Sequence, residues 1–414
     1  MMRTTRPVRE VRTIADIHAI EAMAYDEVVP ARNLLDLFRA TAATVGGQPA
    51  LTVLNADPAD AGVRWTHAEL LGEVTRAANM FHALGMRPGK GVAAFLAPTL
   101  PPFPPLLLGA QVAGIASSIN YLLKRDTIVD LLNASGAMVL IVPARHLDEA
   151  CWTAAEGMLA DVPTLRHVLV IGDDTGGRAG FTALSEALDG HSGDALTFET
   201  QDRDTVCAMF HTGGTTGRPK LVQLTHGNQI HAAFGFAQVY GFDERDTIIN
   251  GFPFFHVGGT MSAGLSMLAA GGHMVVPSPY ALRPRSVIER YWDFVRVLEP
   301  TVISGVPTSI AAMTDSFPEG FDTARIRLAA TGGAILPPAV GARFMAKTGI
   351  RLFETYGMTE TAAAIAFNPG RGEPLAGSVG FRAPFSQTRI VRLGDSSVCA
   401  PGEAGLVQVK GPQV

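Results

Sequence analysis

Apolar residues recur along this chain with two periods, one helical and one strand-like, in a regular exchange. Across residues 33–43, Leu34, Leu35, Leu37, Phe38 and Ala42 keep helical spacing. Ala50–Leu54 then reads as a strand, and Thr66 stands as the N-cap of a helix through Leu70, Val74, Ala78 and Leu84. Gly85–Met86–Arg87–Pro88–Gly89 breaks that helix, and Gly91–Leu96 returns as a strand. The exchange repeats through Ala137–Val142 (strand), Trp152–Leu159 (helix) and His167–Ile171 (strand). Thr182–Leu188 reads as a short helix and the residues from there to Asp204 as a surface connection. Thr205–Phe210 and Leu221–Leu224 are strand-like, and Thr225 caps a helix through Ile230, Phe234 and Ala237. Strands alternating with helices predict an α/β chain whose largely parallel sheets are covered by helices on both faces.

One stretch tests that reading. Gly91–Leu123 has no charged residue and is long enough to raise a membrane-spanning helix. Pro98, Pro101, Pro102, Pro104 and Pro105 interrupt its first half, and Gly109 and Gly114 its second. That clustering favours a buried strand, a proline-rich turn and a buried helix, with no transmembrane segment. Before it, Arg3, Arg6, Arg9 and Arg12 are followed by no apolar run, so a secretory signal is not expected. Pro7, Glu10, Asp16 and Glu21 argue against a transit peptide, which leaves residues 1–30 as a solvated leader.

At 414 residues the chain is too long for one ordinary core. Its 47% hydrophobic and 17% charged content describes a globular protein with large buried sheets. The net charge of -5 gives no reason to expect nucleic acid as a partner. Cys151, Cys207 and Cys399 show no CxxC spacing, so neither a disulfide framework nor a zinc site is indicated, and a cytoplasmic location fits best.

The chemistry concentrates between the strands at 205–210 and 221–224. Thr212–Gly213–Gly214–Thr215–Thr216–Gly217–Arg218–Pro219–Lys220 joins three glycines, three threonines and two cations in one loop. Glycines let a backbone curve tightly, and free N–H groups, hydroxyls and positive charge suit a polyphosphate. The P-loop pattern fails because Arg218 and Pro219 follow Gly217, and Leu221 follows Lys220. The dinucleotide pattern fails because Gly213, Gly214 and Gly217 have the wrong intervals. A plain flexible turn accounts for the glycines but not for the hydroxyls and cations.

Thr212–Lys220 resembles the phosphate-loop signature of adenylate-forming enzymes, the group of acyl-CoA synthetases, luciferases and peptide-synthetase adenylation domains. Leu84–Val92 and Leu107–Leu123 resemble early signature stretches of that family, whereas Pro98–Pro105 replaces its usual Asn-and-Glu pattern. Phe252–Pro253–Phe254–Phe255–His256–Val257–Gly258–Gly259 fits core packing around a buried His equally well when read alone. The resemblance makes His256 a gate between acyl and nucleotide sites, with Val257 and Gly258 at the acyl pocket. No Asp stands there to hold a substrate ammonium, which favours an apolar carboxylic acid over an amino acid. Gly305 and Val306, in Val302–Thr308, resemble the next pocket-lining strand and turn. Gly332, Gly333 and Ala334 end a further strand, where paired glycines serve a tight strand–helix turn, the close approach of adenine and acyl group, or both.

Glu354–Thr355–Tyr356–Gly357–Met358–Thr359–Glu360 matches the family's tyrosine–glycine–threonine–glutamate signature. The resemblance implies that Tyr356 stacks on adenine, Thr359 bonds phosphate and Glu360 takes Mg²⁺ through a hard oxygen ligand. The residues it marks as catalytic are Thr212, Lys220, His256, Thr359 and Glu360.

The implied fold is α/β, with two stacked, mainly parallel helix-flanked sheets and an incomplete β-barrel subdomain at the C-terminus. Expected boundaries are 31–204 and 205–370 for two α/β subdomains and 371–414 for the barrel's opening strands. After Lys410 there is no candidate for the family's ribose-gripping Asp, its hinge or the Lys of its C-terminal lid, so the resemblance covers the large N-terminal part only. The implied activity is attack of a carboxylate on ATP, giving acyl-AMP and pyrophosphate, followed in the complete enzyme by transfer to coenzyme A; without the lid, low activity is expected of this chain alone. Two other readings stay open: an adenylating ligase loading a carrier-protein pantetheine, and a truncated, non-catalytic nucleotide- or acyl-binding module. The expected small-molecule partners are the acid, ATP and CoA, and a homodimer is left open.

Overall fold

The computed structural model describes residues 4–212 and 220–414. A nine-stranded sheet runs in the spatial order Phe381–Arg382, Ala366–Phe367, Leu352–Tyr356, Leu328–Thr331, Val302–Gly305, Thr247–Ile249, His273–Val276, Pro49–Val53, Val63–Thr66. A seven-stranded sheet runs Phe181–Ala183, His167–Ile171, Ala137–Pro143, Val92–Phe95, Ile115–Ser118, Val206–Thr212, Lys220–Thr225. Interior pairings in both are parallel, and antiparallel pairs lie only at the edges. Gln387–Val391 and Leu406–Lys410 form a separate antiparallel pair, the small sheet expected at the C-terminus.

Local signals set the helix starts as the sequence predicts. The Asn33 side chain accepts from the Asp36 N–H and opens Leu34–Val45, while Thr66 and Glu69 form a capping box for His67–Ala83. Thr225 caps His226–Tyr240 in the same way with Asn228. Such a side-chain oxygen satisfies an N–H that a helix start otherwise leaves unpaired. The single helix expected over Trp152–Leu159 is two, Glu149–Ala155 and Met158–Asp161, because Gly157 at φ 76° turns the chain between them.

The charge-free stretch resolves into the strand Val92–Phe95, the helix Phe103–Ala113 and the strand Ile115–Ser118. Pro104 and Pro105 fall in the helix's first turn, where a missing N–H costs nothing. Among the described residues no helix is long and apolar enough to cross a membrane.

The two sheets share one core. Phe95 and Phe210 from the smaller sheet, and Leu51, Ile248, Val302 and Phe353 from the larger, pack with the helices 67–83, 103–113 and 226–240 in one buried cluster. Separate clusters cover the outer faces, so strands buried on both sides read as continuous apolar runs.

Two sequence expectations give way here. Residues 4–30 are not a solvated leader. Val11, Ile17, Ile20, Val28 and Val29 are buried, the Thr5 N–H donates to the Ala269 carbonyl, and Glu21 pairs with Arg382. The arginines mask an apolar stripe with too few members to stand out. Nor does a boundary at 204/205 follow the sheets. Pro49–Val53 and Val63–Thr66 cross into the larger sheet, while both strands flanking the phosphate loop belong to the smaller one.

Candidate active site

Strand ends from both sheets meet at one crevice, the usual ligand position in open parallel sheets. A cavity of about 310 Å³ opens there, lined by Thr212 of one sheet and Gly332, Gly333, Thr355 and Gly357–Glu360 of the other. Phe252, His256, Val257 and Gly258 form another wall, with Phe236, Ser262 and Ala363 completing it.

A ladder pair brackets residues 213–219. Thr212 lies opposite Lys220 in the antiparallel pairing of its two flanking strands. Thr212 is half-buried against the cavity and Lys220 is exposed. Gly213, Gly214, Thr215, Thr216 and Gly217 lie outside the described residues, as do Arg218 and Pro219. The turn Thr359–Thr361 packs against both flanking strands, which brings Glu360 to the loop's side of the cavity.

The aromatic run 252–255 divides by function. Phe252 lines the cavity, Phe254 packs edge-on against Phe103 in the core, and Phe255 packs edge-on against Tyr121. His256 therefore turns away from the core. Its Nδ1 accepts from the Gly258 N–H at 3.0 Å, so the neutral ring carries its proton on Nε2. No described residue accepts from that Nε2–H. The side chain is exposed to solvent through the cavity, yet the surrounding walls withhold enough water to lower its pKa. His211, next to Thr212, accepts the Asn120 N–H on Nε2 at 3.0 Å. Burial lowers its pKa too, and a charge on His256 would lower it further. Both shifts favour the neutral imidazole. After His256 the chain forms a π-helix, Gly258–Leu265, whose wider turn carries Gly258 and Ser262 on the cavity wall.

The signature glycines answer to the backbone first. A Cβ on Gly332 would lie 2.7 Å from the Thr355 Cγ2 of the neighbouring strand, and Gly333 has φ +80°. A Cβ on Gly357 would lie 1.8 Å from the Ala363 carbonyl oxygen. The reverse turn that makes this approach holds Ala362 and Ala363 at φ 48° and 76°, a strained conformation for alanine. Glu354 Oε1 accepts the Leu336 N–H at 3.1 Å and steadies the turn after Gly333.

Eleven of the expected site residues thus meet at the cavity: Thr212, His256, Val257, Gly258, Gly332, Gly333, Thr355, Gly357, Met358, Thr359 and Glu360. Gly305 and Val306 are not among its lining residues; Gly305 packs toward Ser309 and Met313, while the Val306 Cγ1 lies 3.9 Å from where a Cβ on the lining Gly333 would stand. Ala334, Glu354 and Tyr356 border it without lining it, and Tyr356 keeps 39% of its surface open at the rim. Sequence reading missed Phe236, Ser262 and Ala363. Phe236 lies on a helix buried on every side, where periodicity marks no face, and a π-helix has no sequence signature to place Ser262.

The arrangement is that of an α/β protein with a nucleotide-type site across its strand ends. The AMP-binding enzyme family model matches residues 38–414, and the chain belongs to that family. It is 27% identical over 421 residues to a marinolic acid–CoA ligase of Pseudoalteromonas sp. (strain SANK 73390), covering 98% of this chain and 63% of that protein. It is 29% identical over 359 residues to a benzoate–CoA ligase of Thauera aromatica, covering 85% of this chain and 64% of the other. A long-chain-fatty-acid–CoA ligase structure from Archaeoglobus fulgidus superposes with a TM-score of 0.81 at 22% identity, over 99% of this chain and 78% of that one. The chain spans about two thirds of the length of the curated relatives it matches.

Proposed function

We propose that this chain activates an apolar carboxylic acid, fatty or otherwise, with ATP and passes the acyl group to coenzyme A. A carboxylate oxygen attacks the α-phosphorus, the bond to the bridging oxygen of pyrophosphate breaks, and pyrophosphate leaves with that electron pair. The CoA thiol then attacks the acyl carbon and AMP departs. The observation that carries this reading is one cavity joining Thr212, at the root of the phosphate loop, to His256, Thr359 and Glu360. Phosphoryl chemistry of this kind asks the protein mainly for position and charge neutralisation.

Thr212 and Lys220, with Gly213–Gly217 between them, would hold the β- and γ-phosphates. Thr359 is buried beside them and supplies a hydroxyl. Tyr356, open at the rim, would stack on adenine over the Gly332–Ala334 turn. The His256 Nε2–H is a donor for a carboxylate or adenylate oxygen, and the ring would gate the passage between acid and nucleotide.

Glu360 suits Mg²⁺. It is exposed in the cavity and makes no hydrogen bond or ion pair with a described residue. No described cluster of three His, Cys, Asp or Glu side chains could hold a metal alone, and Mg²⁺ ordinarily takes one or two carboxylates plus substrate phosphates. Bound there, it would share the charge of the departing pyrophosphate.

Mass spectrometry of the protein incubated with ATP, Mg²⁺ and an apolar acid tests the reading. It should show acyl-AMP, and an acyl thioester once CoA is added. A thioester formed only with a holo carrier protein would replace the CoA assignment, and the absence of any adenylate would remove the proposal.

A further inference from the structure

One wall of the cavity is backed by packed aromatics. Phe236 lines that wall and is 1% exposed. Its ring stands edge-on to Phe367 with centroids 4.5 Å apart. Tyr240 packs against both rings, and Phe242 packs behind Tyr240. Interiors of this kind are packed like crystals, so a longer ligand could enter only by displacing rings that hold one another.

Part of the cavity belongs to the phosphate end, at Thr212 and Glu360. The walls define the tail's chemistry. Glu360 is the one charged side chain among the described lining residues, and it sits on the phosphate side. The other wall carries Phe252, Val257 and Gly258 with Ser262, whose hydroxyl donates to the Gly258 carbonyl at 2.6 Å.

We infer that the acid is compact and uncharged in its tail, a benzoate-sized aromatic or short-chain acid, and that Phe236 sets the size limit. This rests on the adenylating function proposed above. The likeness to a long-chain ligase, at 22% identity, concerns the fold and leaves pocket depth to the residues of this chain.

The test is a thermal-shift series with 5′-O-sulfamoyladenosine, unacylated and carrying benzoyl, butanoyl, dodecanoyl or hexadecanoyl groups. Ligands that bind the native state raise its melting temperature with their affinity. The benzoyl and butanoyl compounds should exceed the unacylated one, and the dodecanoyl and hexadecanoyl compounds should not. Phe236→Ala should move the optimum to the dodecanoyl compound. Should that variant fail to fold, Ser262→Leu narrows the pocket instead, and should remove the added shift of the benzoyl over the unacylated compound. A wild-type optimum at hexadecanoyl would overturn the size limit while leaving adenylation intact. No shift from any compound, unacylated included, would overturn the adenylating function and the size limit with it.

Discussion

Gly357 and the Ala363 carbonyl oxygen pass so close that a Cβ on the glycine would lie 1.8 Å from that oxygen. The reverse turn they share delivers Thr359 and Glu360 to the cavity, with Ala363 in its wall. Gly357→Ala must therefore open the turn. It should destabilise the protein by about 3 kcal/mol, at the upper end of overpacking effects, and abolish nucleotide binding. Urea denaturation and ATP titration check the two halves; a variant of unchanged stability would contradict the packing argument.

A second structural pair lies beneath the site. Arg327 meets Asp246 through two N–H···O bonds of 2.8 Å and also donates to the Tyr240 and Gly241 carbonyls. Both side chains are largely buried. Arg327→Met would leave the aspartate uncompensated and the carbonyls without their donor. A loss of about 3–5 kcal/mol is expected in denaturant unfolding, as for other broken buried pairs.

Acid should unfold the protein through the buried His226 and His231 and the half-buried His273. Burial pushes His226 and His273 down to about 4 and His231 to about 3. The unfolded chain takes up these protons near pH 6.5 while the native state refuses them. The stabilisation is complete above that pH and drains away as pH falls toward 4 and 3. Each residue contributes on the order of 3 kcal/mol, because every tenfold loss of proton affinity on folding is worth about 1.4 kcal/mol. Unfolding free energies at pH 7.5, 6 and 5 should fall in that order, and a flat profile would show that these histidines accept protons while folded.

Glu360→Gln should leave the fold intact, since the carboxylate is exposed and has no described partner. The Mg²⁺ needed for half-maximal adenylation should rise tenfold to a hundredfold, the equivalent of about 1.5–3 kcal/mol for a charged contact. An unchanged Mg²⁺ requirement would move the metal to another ligand.

Much of this site is legible in the sequence because short-range rules govern it. Thr66 and Thr225 cap helices through hydroxyl-to-backbone bonds formed within three residues. Gly357 announces a close backbone approach, although its partner, Ala363, could not be named in advance. What stayed hidden depends on distant packing. Parallel strands need long crossovers, so nothing local tells that Pro49–Val53 pairs with His273–Val276 instead of with Val92–Phe95. Three phenylalanines within four positions do not say that Phe252 alone faces the cavity while Phe254 meets Phe103.

The central claim is adenylation, and acid-dependent exchange of labelled pyrophosphate into ATP tests it most directly. The reverse of the first half-reaction restores ATP, so no acceptor thiol is needed. With Mg²⁺ and benzoate-sized or short apolar acids, label should enter ATP only when acid is present. Lys220→Ala should reduce the rate on the order of a hundredfold, as for other lost preorganised donors. Because Lys220 is exposed, the variant should remain folded. No acid-dependent exchange by folded protein, or full exchange by the Lys220→Ala variant, would contradict the account.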